Sequence, residues 1–115
     1  MIEVKNRRRS TRAPIDMPVF EESPFNKNTA RAVNISEWGL RYFMLTAPGA
    51  RRHRDVHLEF FLPHDTRPIK AIGWVTSERR DRLFHSRSVR FTSIEDSDAR
   101  RIREYVAMRG ARRAA

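Results

Sequence analysis

Residues 29–45 read TARAVNISEWGLRYFML. Two short runs of β-type residues, Thr29 to Ile35 and Leu40 to Leu45, flank the turn Asn34-Ile35-Ser36-Glu37-Trp38-Gly39. Asn34 and Ser36 are alternate residues leaving a strand, so their side chains project to the same side and can meet one ligand. Gly39 permits a positive φ or a close approach of backbone. A purely local account of the same residues also exists: a strand-ending turn whose side chains bond their own backbone. The two accounts are compatible.

Outward from this hairpin, further β-type runs fall at Ile15 to Glu21, Val56 to Leu62, Ile69 to Ser77 and Leu83 to Phe91. Short runs at close spacing, broken by Pro, Gly and Asn, indicate a small all-β sandwich or barrel. Val56, Leu58 and Phe60 alternate with His57 and Glu59, the period of a half-buried strand. In Leu83 to Phe91 both faces are mixed, so the pattern does not assign the core side. Pro18 removes a ladder donor and makes the first strand an edge or a bulged one. Ser77 to Arg82 has the charged composition of a hairpin loop. Trp74, Phe60, Phe61, Phe84 and Phe91 stand at strand spacing beside aliphatics and are expected in the core. After them the period changes. Ser97 or Asp98 can cap a helix whose stripe is Ile102, Tyr105 and Val106, extended toward Met108, and Gly110 is expected to end it.

The organisation expected is a mobile basic arm at 1–12, a barrel with its closing helix at 13–110, and a frayed tail at 111–115. A chain of 115 residues is one domain's worth of sequence. Its 24 Lys and Arg against 14 Asp and Glu leave a net charge of +10, which points to a polyanionic partner. With no Cys, a disulfide framework, a thiolate metal site and a Cys nucleophile are excluded. No apolar run approaches the roughly 18 residues that span a bilayer, and no signal-type apolar segment precedes the arginines. A soluble, cytoplasmic protein is expected. His53, His57, His64 and His85 lack the spacing of metal ligands and read as surface histidines, so no metal is expected. The carboxylates are scattered and no Ser lies in a nucleophile-elbow context, so no catalytic residue can be named and an enzyme is not expected.

The arm concentrates its charge in Arg7-Arg8-Arg9-Ser10-Thr11-Arg12, four guanidinium groups in six residues. Their fork geometry suits phosphate oxygens and the O6/N7 edge of guanine. Arg8 and Arg12 form an Arg-x-x-x-Arg motif, and Asn34, Ser36 and Gly39 fill an Asp/Asn-x-Ser-x-x-Gly motif 22 positions after Arg12. Together these residues resemble the PilZ family of bacterial cyclic di-GMP receptor domains. The resemblance continues through Ile72-Gly73-Trp74-Val75, Val89-Arg90-Phe91 and the closing helix. Asn34 stands where Asp is commoner, and Ser88 where many relatives have Gly.

The resemblance implies a six-stranded antiparallel β-barrel with a C-terminal α-helix. It implies cyclic di-GMP as the ligand, held by Arg8, Arg12, Asn34, Ser36 and Gly39, with Arg9 and Trp38 as additional candidates. Arg7 matches the form of the family that takes up two intercalated ligands per chain. No further cofactor is implied. The signal would pass to an unidentified downstream protein controlling motility, exopolysaccharide or virulence. Two other readings stand beside it: a small basic barrel binding single-stranded RNA or DNA through its phosphates, and a PilZ-like interaction module without ligand.

Overall fold

The computed structural model describes residues 12–24, 26–44, 54–80 and 84–114. Among the described residues seven strands precede one helix: β1 (Ala13–Pro14), β2 (Pro18–Ser23), β3 (Asn26–Ser36), β4 (Gly39–Met44), β5 (Asp55–Phe60), β6 (Ile69–Arg80), β7 (His85–Ile94) and α1 (Asp96–Ala114). The strand order is β1-β3-β2-β5-β6-β7-β4, and a further β3–β4 pairing joins the ends. β2 to β7 thus close a six-stranded antiparallel barrel, as expected, and β1 is a two-residue stub beside β3.

Closure removes the edge that Pro18 was expected to occupy. The anticipated first strand is instead interrupted at residues 15–17, and Pro18 opens β2, where a missing donor costs least. β1 and β2 run along one side of β3: Ala13 pairs with Ile35, Pro14 with Asn34, and Pro18 with Arg31. Between them, Ile15 N donates to Val33 O at 3.1 Å and Ala32 N to Met17 O at 2.8 Å.

Alternation decides the core. Val56, Leu58 and Phe60 are buried, as their period predicts, beside Val19, Ile35, Leu40, Ile69, Val75 and Val89. Each such side chain contributes about 1.5–3 kcal/mol. The same period overturns part of the aromatic expectation. In β6, Ile69, Ala71 and Val75 face inward, so Trp74 faces out and is 41% exposed. Phe84 is also exposed and leans on Phe43 with ring centroids 5.8 Å apart. Phe60 and Phe91 do stack at the core, 6.1 Å apart.

β7 settles the mixed pattern by burying His85, Arg87 and Val89. His85 is therefore not a surface histidine, whereas His57 and His64 are exposed; His53 lies outside the described residues. Arg87 and Glu21 are each 1% exposed. Arg87 Nη1 donates to both Glu21 oxygens at 2.6 Å, Tyr42 Oη donates to Glu21, and Arg87 Nε lies 3.4 Å from Glu78 Oε1. Burial, with Glu21 beside it, holds the Tyr42 hydroxyl well above its ordinary pKa. Burial pulls Arg87 the other way, but its bonds to Glu21 prevail and its pKa is raised.

The loop expected at Ser77 to Arg82 is strand as far as Arg80, with Glu78, Arg79 and Arg80 paired to Arg87, Ser86 and His85. A long partner strand supplies ladder bonds to a segment whose side chains are all polar and exposed.

The helix starts at Asp96, and the amides of Asp98 and Ala99 both donate to Glu95 O. Asp96 and Asp98 in its first turn complement the helix dipole. Gly110 does not end it: α1 continues to Ala114, taking in four of the five residues expected as a tail. Arg109 lies toward its C-terminal end, where a cation complements the helix dipole. Ile102 and Val106 are buried with Tyr105 packed beside them, but Met108 is 52% exposed and off the stripe. No described helix is long and apolar enough to cross a membrane.

Candidate ligand-binding site

The β3–β4 hairpin is tight: Ser36 pairs with Gly39, leaving Glu37 and Trp38 as the turn. Its geometry depends on a register shift between Ala32 and Asn34, where Val33 is extra and exposed. One extra residue reverses the inside–outside phase. Ala30 and Ala32 face the core before the bulge and Ile35 after it, so Asn34 is turned off the core face. Asn34 and Ser36 then line one cavity, as their spacing predicts.

Gly39 serves the close-approach role. Its φ is not positive, but a Cβ there would collide with the carbonyl oxygen of Val89, with Arg90 Cα 3.2 Å away. β4 can therefore lie flat on β7 at the cavity floor. The local account of Ser36 holds as well, since its Oγ accepts from Trp38 N at 3.1 Å.

β1 brings the first motif to the second. Pro14 pairs with Asn34, which sets Arg12, two residues earlier, beside the hairpin, and Arg12 lines the cavity. Arg7, Arg8 and Arg9 lie outside the described residues. The cavity holds about 300 Å³ and is walled by Arg12, Asn34, Ser36, Trp38 and Gly39 together with Arg41, Thr76, Ser77, Ser88 and Arg90. Among the described residues no acid lines it, so three guanidinium groups converge on one cleft without a described carboxylate in its lining. Trp38 is exposed at its rim and presents a flat apolar face.

Sequence reasoning missed Arg41, Thr76 and Ser77 as wall residues, and used Arg90 and Ser88 only as marks of likeness. Arg41 was recoverable, because it stands two residues after Gly39 on the same strand face. Arg90 was not: it reaches the site through pairing with Gly39, far away in sequence. Among the described residues no three His, Asp or Glu side chains cluster as metal ligands would.

The sequence model of the PilZ domain matches residues 6–108. No curated protein matches the chain. Among solved structures, the Bacillus subtilis inhibitor of motility, MotI/DgrA, is similar with a TM-score of 0.80 and 19% identity, covering 92% of this chain and 52% of that one. The PilZ domain of Escherichia coli YcgR with c-di-GMP gives a TM-score of 0.68 at 15% identity, covering 92% and 93%. YcgR from Escherichia coli in complex with c-di-GMP gives 0.63 at 16% identity, covering 94% and 49%. The chain thus spans about half the length of MotI/DgrA and of that YcgR chain. With Arg12 and the second motif at one cleft of a closed six-stranded barrel, and a family match over nearly its whole length, the chain belongs to the PilZ domain family.

Proposed function

We propose that the chain is a non-enzymatic receptor for cyclic di-GMP that passes the signal to a downstream protein. The observation that carries this reading is the meeting of Arg12, Asn34, Ser36 and Gly39 with Arg41 and Arg90 in one cleft that no acid lines among the described residues. Membership of the PilZ family and the c-di-GMP complexes of YcgR support the choice of ligand.

The chemistry follows from the side chains. Arg8 and Arg12 grip phosphate and the guanine O6/N7 edge through paired N–H donors, and Arg9 adds charge. Asn34 offers a donor and an acceptor to a base edge, Ser36 a hydroxyl, and Gly39 leaves room where a side chain would intrude. Trp38 can stack on an exposed guanine, since every base has a π-face. Each ligand carries two phosphates, so an intercalated pair brings four negative charges. Arg7 helps to neutralise them and stacks its planar group on the outer base.

Calorimetry tests the reading. Cyclic di-GMP should bind with micromolar or better affinity, about -8 kcal/mol, in preference to GMP, cyclic di-AMP and single-stranded RNA. Saturation is expected at two ligands per chain, and Arg7→Leu should shift uptake toward one. Tight RNA binding with no response to cyclic di-GMP would hand the site to the nucleic-acid reading. Clean wild-type saturation at one ligand would refute the pair alone.

A further inference from the structure

The C-terminal helix reaches the candidate site at two points, one just past the first motif and one within the second. Tyr105 Oη donates to the carbonyl oxygen of Pro14 at 3.1 Å, two residues past Arg12. Arg103 Nη1 donates to Glu37 Oε2 at 3.2 Å, in the turn between Ser36 and Trp38. Buried Ile102 and Val106 hold this stretch of α1 against the barrel. A third tie has a different address: Arg101 bonds Asp65 Oδ2 at 2.5 Å and Arg67 O at 2.7 Å, in the connection between β5 and β6, and touches neither motif.

We propose that α1 is the positioning element of the ligand site, with Tyr105 and Arg103 fixing the segment that follows Arg12 and the hairpin turn relative to each other and so setting ligand affinity. This deepens the receptor reading and rests on it. The need for such an element is plain in β1, which has two residues and two ladder pairs, and whose Pro14 has no N–H to give. Tyr105 supplies a bond from outside the sheet to that short stub. Arg103 acts likewise on a two-residue turn, through a more exposed and hence weaker ion pair. Linkage then runs both ways: a ligand that pulls on Arg12 and Ser36 changes how α1 docks, and a protein that engages α1 changes ligand affinity by the same factor.

The test compares Tyr105→Phe, which keeps the ring and all charges, with Asp65→Asn, which removes the ion pair from the helix tie remote from the site. By calorimetry with cyclic di-GMP, Tyr105→Phe should bind about fivefold more weakly and Asp65→Asn within about twofold of wild type. Arg103→Gln and Glu37→Gln should be non-additive in a double-mutant cycle, because they break one bond. Hydrogen exchange without ligand gives a second readout: amides of residues 34–39 should exchange faster in Tyr105→Phe and be unchanged in Asp65→Asn. Wild-type affinity in Tyr105→Phe, or an equal loss in Asp65→Asn, overturns the proposal. If the wild-type chain does not take up cyclic di-GMP, the receptor reading fails. Exchange alone then decides the role of α1, and an unchanged rate at 34–39 sinks it.

Discussion

Arg87 and Arg90 stand three residues apart on β7 and have opposite surroundings. Arg87 points into the barrel, where Glu21 receives it through two bonds at 2.6 Å and Tyr42 completes the group. Arg90 points out, is exposed, and lines a cleft shared with Arg12 and Arg41, with no acid among its described lining residues. Identical chemistry thus does two jobs. Inside, the charge must be matched by a partner in the chain, since a lone buried ion costs several kcal/mol. Outside, water solvates it until an anion comes, and its donors stay available.

The largest effect should come from breaking the inner pairing. Glu21→Leu strands Arg87 in the core and should destabilise the barrel by about 3–5 kcal/mol in urea unfolding. Replacing Arg87 by Met in the same chain should restore most of that loss. An undiminished unfolding midpoint for Glu21→Leu would mean that Arg87 finds another outlet.

The outer cleft should respond in the opposite sense, losing binding but not stability. Arg8→Ala or Arg12→Ala removes charge-assisted bonds worth roughly 1.5–3 kcal/mol apiece, so calorimetry should register near-abolition of cyclic di-GMP uptake at an unaltered unfolding midpoint. Retention of wild-type affinity by either variant would show that the motif arginines do not serve the cleft.

Alkaline titration probes the inner cluster a second way. The Tyr42 pKa is raised by burial and by Glu21, so above the ordinary tyrosine value of about 10 the unfolded chain releases a proton that the fold retains. Stability must then fall as pH rises, by up to about 1.4 kcal/mol per pH unit for this one group, until the folded-state pKa is reached. Below that range Tyr42 is protonated in both states and contributes no slope. Tyr42→Phe should flatten the curve above about pH 10 in urea titrations.

Smallest is Ser36→Ala. It deletes the bond from Trp38 N and one cleft hydroxyl, which together merit about 0.5–1.5 kcal/mol. Calorimetry should therefore give a loss smaller than for either motif arginine. A larger loss would assign Ser36 a direct hold on phosphate.

Much of this protein is legible without coordinates, because the signals are local. Val56, Leu58 and Phe60 reveal an inward face by period alone, and Asn34, Ser36 and Gly39 announce a common side at the end of a strand. The motif spacing then carries the likeness to a six-stranded barrel. Where one strand carries conflicting cues, local reading stops. His85, Arg87 and Val89 share a face that is two-thirds polar, and Glu21, 66 residues away, with Glu78 beside it, makes Arg87 tolerable inside. Trp74 reads as core until Ile69, Ala71 and Val75 claim the inner side of β6. Gly110 reads as a helix stop, yet a Cβ there would meet nothing within 4 Å, and the helix passes through it.

What the amino-acid sequence determined by itself is the strand periodicity, the two motifs and the excess of positive charge, all properties of neighbours along the chain. Tertiary structure alone decided which arginines face water and which face Glu21, that β4 lies on β7 so Arg41 and Arg90 join Arg12, and that Tyr105 and Arg103 reach Pro14 and Glu37 from α1. The reason is physical: a closed barrel sets strands side by side that are remote in sequence, and burial, pairing and cleft formation are properties of those contacts and not of any single segment.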